Sequence, residues 1–119
     1  MKKDNLIQEK SFAFAIRTVK LYQYLCEEKK EYILSKQLLR SGTSVGANIE
    51  ESIGGQSDAD FLSKISISYK EARETIYWIK LLSATGYLND IQTQSMLFDA
   101  EEICKIPGKI QITLKNRNS

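Results

Sequence analysis

The chain has 119 residues, 42% of them hydrophobic, with one proline, six glycines and no low-complexity tract; it fits a single globular domain, residues 1–119, and excludes a disordered or turn-rich chain. Its net charge of +2, from 17 basic and 15 acidic residues, is too small to mark an obligate nucleic-acid binder by itself. Histidine is absent, which removes the commonest general base and the commonest nitrogen ligand for metals.

The first predicted helix runs from about Asn5 to Lys29 and carries two neighbouring apolar stripes. Ile7, Phe14, Leu21 and Leu25 form one; Phe12, Ala15, Val19, Tyr22 and Cys26 form the other. About half the circumference is therefore apolar, wider than the roughly 100° of an ordinary surface helix. Either a second packing partner covers the extra stripe or a small bundle wraps this helix deeply.

The second helix is predicted over Ile33 to Ile53, with Leu34, Leu38, Ser41, Val45 and Ile49 facing inward and Gly54-Gly55 as its stop. Its stretch from Arg40 to Glu51 is built from poor helix formers: Gly42 and Gly46 cost about 1 kcal/mol each relative to alanine, and Thr43, Val45 and Ile49 add smaller penalties. Packing has to supply the difference. The two glycines lie one turn apart, so they predict a close approach by a neighbouring helix backbone. A phosphate-cradling loop would need a Gly-Lys-Ser/Thr ending that is missing.

Ser57 with Asp60 resembles a capping box and opens the third helix, which is expected to close at Gly86 with a left-handed cap followed by Tyr87. Phe61, Ile65, Ser68, Ala72, Ile76 and Ile79 repeat at core spacing along it. Ile67, Glu71, Glu74, Trp78 and Leu81 form a second row on the opposite side, the pattern of a subunit interface with an apolar centre and charged pairs; the plainer alternative is a surface tryptophan lying along its own helix. Lys70, Arg73, Tyr77 and Lys80, at spacings of three, four and three, form a third row suited to phosphate neutralisation with a stacking tyrosine. Its alternative is a solvated face in which Glu74 pairs weakly with Lys70 and Arg73.

Asn89 with Gln92 opens the fourth helix, where Ala100, Ile103, Pro107, Ile110 and Leu114 keep one heptad register. Pro107 predicts a kink or a short break helped by Gly108. After Glu102 the chain carries no acid while Lys105, Lys109, Lys115 and Arg117 follow, with Lys2 and Lys3 at the other end; these basic ends are either a solubilising tail or a nucleic-acid arm. Short, capped connections between long helices predict an all-α, antiparallel up-down-up-down four-helix bundle with its fourth helix kinked near Pro107.

Chemistry is poorly supported. Glu71 and Glu74 could suggest half a carboxylate metal site, but such bundles need Glu-x-x-His pairs projecting inward, and no serine has a plausible base beyond lysine. No enzyme, cofactor or metal is expected. Cys26 and Cys104 lack metal-type spacing and are predicted to be buried free thiols in a reducing compartment. No apolar run approaches the roughly 18 residues of a bilayer span, and no signal-peptide core is present, so the expected location is cytoplasmic with no membrane partner.

The run Gln37-Leu38, Arg40-Ser41, Ser44-Val45, Asn48-Ile49 and Glu51, followed by a long helix with Phe61 and Tyr69-Lys70-Glu71-Ala72, resembles the four-helix-bundle proteins of the 23S rRNA intervening-sequence type. That family includes the accessory variability protein of diversity-generating retroelements. The resemblance implies a homo-oligomer, a pentameric ring, with the outward faces as subunit contacts. It marks Arg40, Ser41, Ser44, Val45, Asn48, Ile49 and Glu51 as family positions, structural or interfacial rather than catalytic. Arg40 and Glu51 stand about 16 Å apart along one helix at 1.5 Å per residue, so Arg40 is expected to meet Glu71 or Glu74, within the bundle or across a subunit boundary. The retroelement member binds nucleic acid and a reverse transcriptase through a strongly basic surface, whereas this chain is nearly neutral. The reading is a non-enzymatic oligomeric bundle with an accessory role in binding structured RNA or other nucleic acid; the alternative is an oligomeric protein–protein adaptor that binds no nucleic acid.

Overall fold

The computed structural model describes residues 2–118, with the side chains of residues 2–5, 115, 117 and 118 outside that description. The basic ends Lys2, Lys3, Lys115 and Arg117 therefore lie outside the described side chains. Four helices follow in chain order: α1 (Lys2–Lys29), α2 (Leu34–Ile53), α3 (Asp58–Ala84) and α4 (Asp90–Asn118). The bundle measures 47 × 24 × 23 Å. Each helix packs on its neighbours in sequence, and α1 touches α4 more lightly.

The connections are set by local chemistry. Lys30 adopts φ 54° and lets the Glu31 amide reach back to the Leu25 carbonyl at 3.0 Å, a Schellman-type closure made by a residue that carries a Cβ. The Glu31 carboxylate then receives the amides of Ile33, Leu34 and Ser35, the last two at 2.7 and 2.9 Å, so an acidic side chain occupies the positive N-terminus of α2. Ser57 Oγ accepts from the Asp60 amide at 3.1 Å. Asn89 and Gln92 form a reciprocal box, amide to side-chain oxygen at 2.8 and 2.9 Å. Gly86, at φ 87°, closes α3, and the Tyr87 amide returns to the Leu82 carbonyl at 2.9 Å. Gly54, by contrast, caps α2 at an ordinary φ of −81°.

The core is built from Phe14, Leu21 and Leu25 of α1, Leu38 and Val45 of α2, Ala72, Ile79 and Leu82 of α3, and Met96, Ala100 and Ile103 of α4. A smaller cluster of Ile7, Ile49 and Ile65 fills the other end. The second stripe of α1 is only partly covered: Phe12 is 68% exposed and Val19 is exposed, while Ala15, Tyr22 and Cys26 are half-buried. The bundle thus wraps α1 only in part and leaves Phe12 and Val19 outside, because a helix with two in-chain neighbours can bury only the faces turned toward them.

Gly42 and Gly46 are both buried against α1. A Cβ on Gly42 would lie 2.5 Å from Thr18 Cγ2 and 2.7 Å from Thr18 Oγ1, and one on Gly46 would lie 3.2 Å from the Ser11 carbonyl oxygen. The α2–α3 seam is lined by small polar residues whose groups pair with one another: Thr75 Oγ1 with Ser41 Oγ at 2.9 Å, and Ser68 Oγ donating to the Val45 carbonyl at 3.0 Å. Among the described residues, no buried side-chain nitrogen or oxygen lacks a partner.

Pro107 is buried inside α4, which continues without interruption to Asn118. A break at this point is contradicted. Its neighbour Gly108 does not open the helix; the bare Cα faces Tyr69, whose Cε1 would stand 3.1 Å from an added Cβ. Cys26 and Cys104 are free and half-buried rather than fully buried.

Candidate nucleic-acid interface

The decisive question for the cationic row of α3 is where the acids between its members point. Arg40, projecting from α2, pairs with Glu71 at 3.2 Å and with Glu74, and its Nε donates to Gln37 at 3.2 Å. Trp78 Nε1 donates to the same Glu74 carboxylate at 2.8 Å. Both glutamates are thereby turned toward α2 and away from Lys70 and Arg73. The pairing of Glu74 with Lys70 and Arg73 that spacing alone permits is replaced by a better partner, since Arg40 offers a fork of donors to two carboxylates at once.

Lys70, Arg73, Tyr77 and Lys80 are all exposed, Tyr77 at 58%. Among the described residues, Lys70, Arg73 and Lys80 have no carboxylate within 4.0 Å. The Arg73 guanidinium sits 5.9 Å from the Tyr69 ring centroid and reaches the Tyr69 hydroxyl at 3.4 Å. Tyr77 meets Trp78 edge to face at 5.1 Å. A shallow depression beside this row reaches across to Glu101 and Cys104 of α4. Burial pushes the Cys104 thiol up, Arg73 opposes that shift, and Glu101 adds to it, so the sulfur stays neutral at physiological pH.

The row Ile67, Glu71, Glu74, Trp78 and Leu81 is not a wholly outward face. Ile67 is exposed, but the other four are half-buried, Trp78 packs against the core, and both carboxylates are taken up by Arg40 within the same chain. Residues facing the α2 flank at three-four spacing look outward in sequence because the stripe opposite a core is assumed to be solvent.

The motif positions of α2 have structural duties. Ser41, Val45 and Ile49 are buried. Ser44 Oγ donates to the Arg40 carbonyl at 2.6 Å, Asn48 Nδ2 to the Ser44 carbonyl at 2.8 Å, and Glu51 pairs with Lys64 at 3.2 Å. Two further ion pairs, which helix spacing in one chain segment could not reveal, tie α1 to α4: Arg17 with Asp99 and Lys10 with Glu102. Arg17 also donates to Ser95 Oγ at 2.8 Å.

Among the described residues there is no cluster of three or more histidine, cysteine or acidic side chains fit for a metal, and no helix long and apolar enough to cross a membrane. Fold and surface together define an all-α four-helix bundle. The chain belongs to the 23S rRNA-intervening sequence protein family, whose signature matches residues 3–109. It is also similar to a protein of unknown function from the S23 ribosomal protein family of Bacteroides thetaiotaomicron, at 50% identity and a TM-score of 0.90, over 92% of this chain and 97% of that one. Neither description names an enzymatic activity. No curated protein matches the chain significantly.

Proposed function

We propose that this protein is a non-enzymatic, oligomeric accessory protein of the cytoplasm that binds structured RNA through the exposed face of α3. The observation that carries the reading is the diversion of Glu71 and Glu74 to Arg40, which leaves Lys70, Arg73 and Lys80 as positive charge without a carboxylate partner among the described residues, beside an exposed Tyr77. A near-neutral chain can hold a cationic face when its acids are consumed elsewhere, and phosphate contacts are made by local charge rather than by the net sum. Exposed apolar residues support the oligomeric part of the reading. Phe12, Ile16 and Val19 on α1 and Ile91 and Phe98 on α4 are apolar and exposed, and joining copies would cover them. Five subunits, the number that family resemblance implies, would repeat the cationic face around a ring and add its weak contacts by avidity.

The exposed apolar residues also suit a protein–protein adaptor that binds no nucleic acid. Fluorescence anisotropy with a structured RNA at low and physiological salt separates the two. The RNA reading expects binding whose logarithm falls linearly with the logarithm of salt concentration, and a smaller slope in Lys70→Ala/Lys80→Ala. Absence of binding at low salt would leave the adaptor. Sedimentation of the same protein reads the subunit number.

A further inference from the structure

The cationic row of α3 does not stop at its own helix. The depression beside Arg73, Tyr77 and Lys80 is continuous with a second one farther along the α3–α4 seam, because Tyr69, Ile76, Glu101 and Cys104 line both. The second recess is flanked by Lys105 and Lys109 of α4 and ends at the exposed Ile112. On α3 the groove spans Tyr69 to Lys80, and on α4 Glu101 to Ile112, about 16 Å each at 1.5 Å per residue. Cations thus stand on both rims, while the floor is aromatic, aliphatic and thiol. On the α4 side the Tyr69 ring lies against the bare Gly108, where a Cβ would press on it, and so forms part of the floor.

A duplex presents a rigid phosphate surface and hides its bases, so it could touch the rims but gain nothing from the floor. An unpaired strand can lay phosphates along the rim cations and turn its bases onto the exposed Tyr77 and the apolar floor beside it. Glu101, exposed at the α4 edge one turn before Lys105, can accept hydrogen bonds from the amino and imino groups of a base. A neutral Cys104 adds no second negative charge there.

We infer that the α3–α4 seam is a binding groove for unpaired nucleotides, such as the loop or bulge of a folded RNA, with Arg73, Lys80, Lys105 and Lys109 as its phosphate rims. This rests on the RNA reading above and narrows it. The full chain is titrated by anisotropy with a hairpin bearing an open loop, an unstructured oligouridine, its deoxy counterpart, and a blunt RNA duplex of equal length. The expected result is affinity for the looped and unstructured RNAs roughly tenfold above that for the duplex, because only unpaired bases can stack in the groove. Lys105→Ala/Lys109→Ala should lower the salt slope for the looped RNA by about 1.4, the single-strand value for two lost phosphate contacts. Far-UV circular dichroism checks that the variant remains folded. Equal binding of duplex and loop, or a double variant with an unchanged slope, overturns the groove while leaving the α3 face standing if Lys70→Ala/Lys80→Ala still weakens binding. Failure of every RNA to bind overturns both. Equal affinity for the deoxy strand keeps the groove but assigns recognition to base and phosphate without the 2′-hydroxyl.

Discussion

Gly42 decides how near α1 and α2 can come. An alanine there would gain about 1 kcal/mol of helix propensity, yet its Cβ would collide with Thr18, whose side chain is buried and tied to the Phe14 carbonyl at 2.8 Å. Overpacking of this kind costs about 1–3 kcal/mol, so Gly42→Ala should lower stability in urea denaturation, and Thr18→Ala added to it should restore part of the loss. A Gly42→Ala protein as stable as the parent would show that the helices separate freely. Lys30 offers the opposite test. It holds a left-handed φ without side-chain freedom from strain, so Lys30→Gly should stabilise the fold by about 1 kcal/mol, read as a higher midpoint in the same assay. The glycine pair was legible because small residues one turn apart have one obvious packing use. Lys30 and Glu31 were not: a lysine carries no turn signal, and a glutamate three residues before a helix start does not announce that its carboxylate will fold onto three amides.

Among elements, the Ser57 N-cap, the reciprocal box of Asn89 and Gln92 and the closure of α3 at Gly86 follow from residues a few positions apart, which is why they could be read directly from the chain. The flank of α3 could not. Periodicity placed Glu71, Glu74 and Trp78 opposite the core, but only the neighbouring helix decides that Arg40 reaches them. Arg40→Glu would set three carboxylates together on one seam. With the arginine side chain 47% exposed, solvent moderates the penalty, and a loss of about 1 kcal/mol is expected, together with a change in Trp78 emission as its indole loses a fixed acceptor. An unchanged spectrum and stability would mean that the network is incidental. Pro107 is a second element-scale case. The sequence gives it a helix-breaking reputation, but its buried ring keeps the core register of Ala100 and Ile103, and α4 passes through it unbroken. Replacing it restores one backbone hydrogen bond worth of propensity, up to about 3 kcal/mol, against the lost burial of a ring, about 1–2 kcal/mol. Pro107→Ala should therefore be modestly more stable; a destabilised variant would show that the ring's packing dominates.

At the scale of the whole molecule, the apolar surface left outside is the main clue to how the protein exists in solution. Phe12, Ile91 and Phe98, exposed at 68%, 82% and 69%, sit on helices whose other faces are already committed to the core. If copies cover them, the folded state is linked to association, and its stability rises with protein concentration by mass action. Trp78 is the single tryptophan and lies against the core, so its fluorescence reports the tertiary fold while far-UV circular dichroism reports the helices. Both signals should fall in one coincident transition, as expected of one cooperative domain, with a midpoint that climbs as the protein is concentrated. Phe12→Ser/Phe98→Ser should abolish that climb while leaving the transition at low concentration nearly unchanged, because neither side chain supports the core of its own chain. A midpoint independent of concentration in the parent would mean that these residues stay in water and that the cationic face acts alone, without the avidity of a ring.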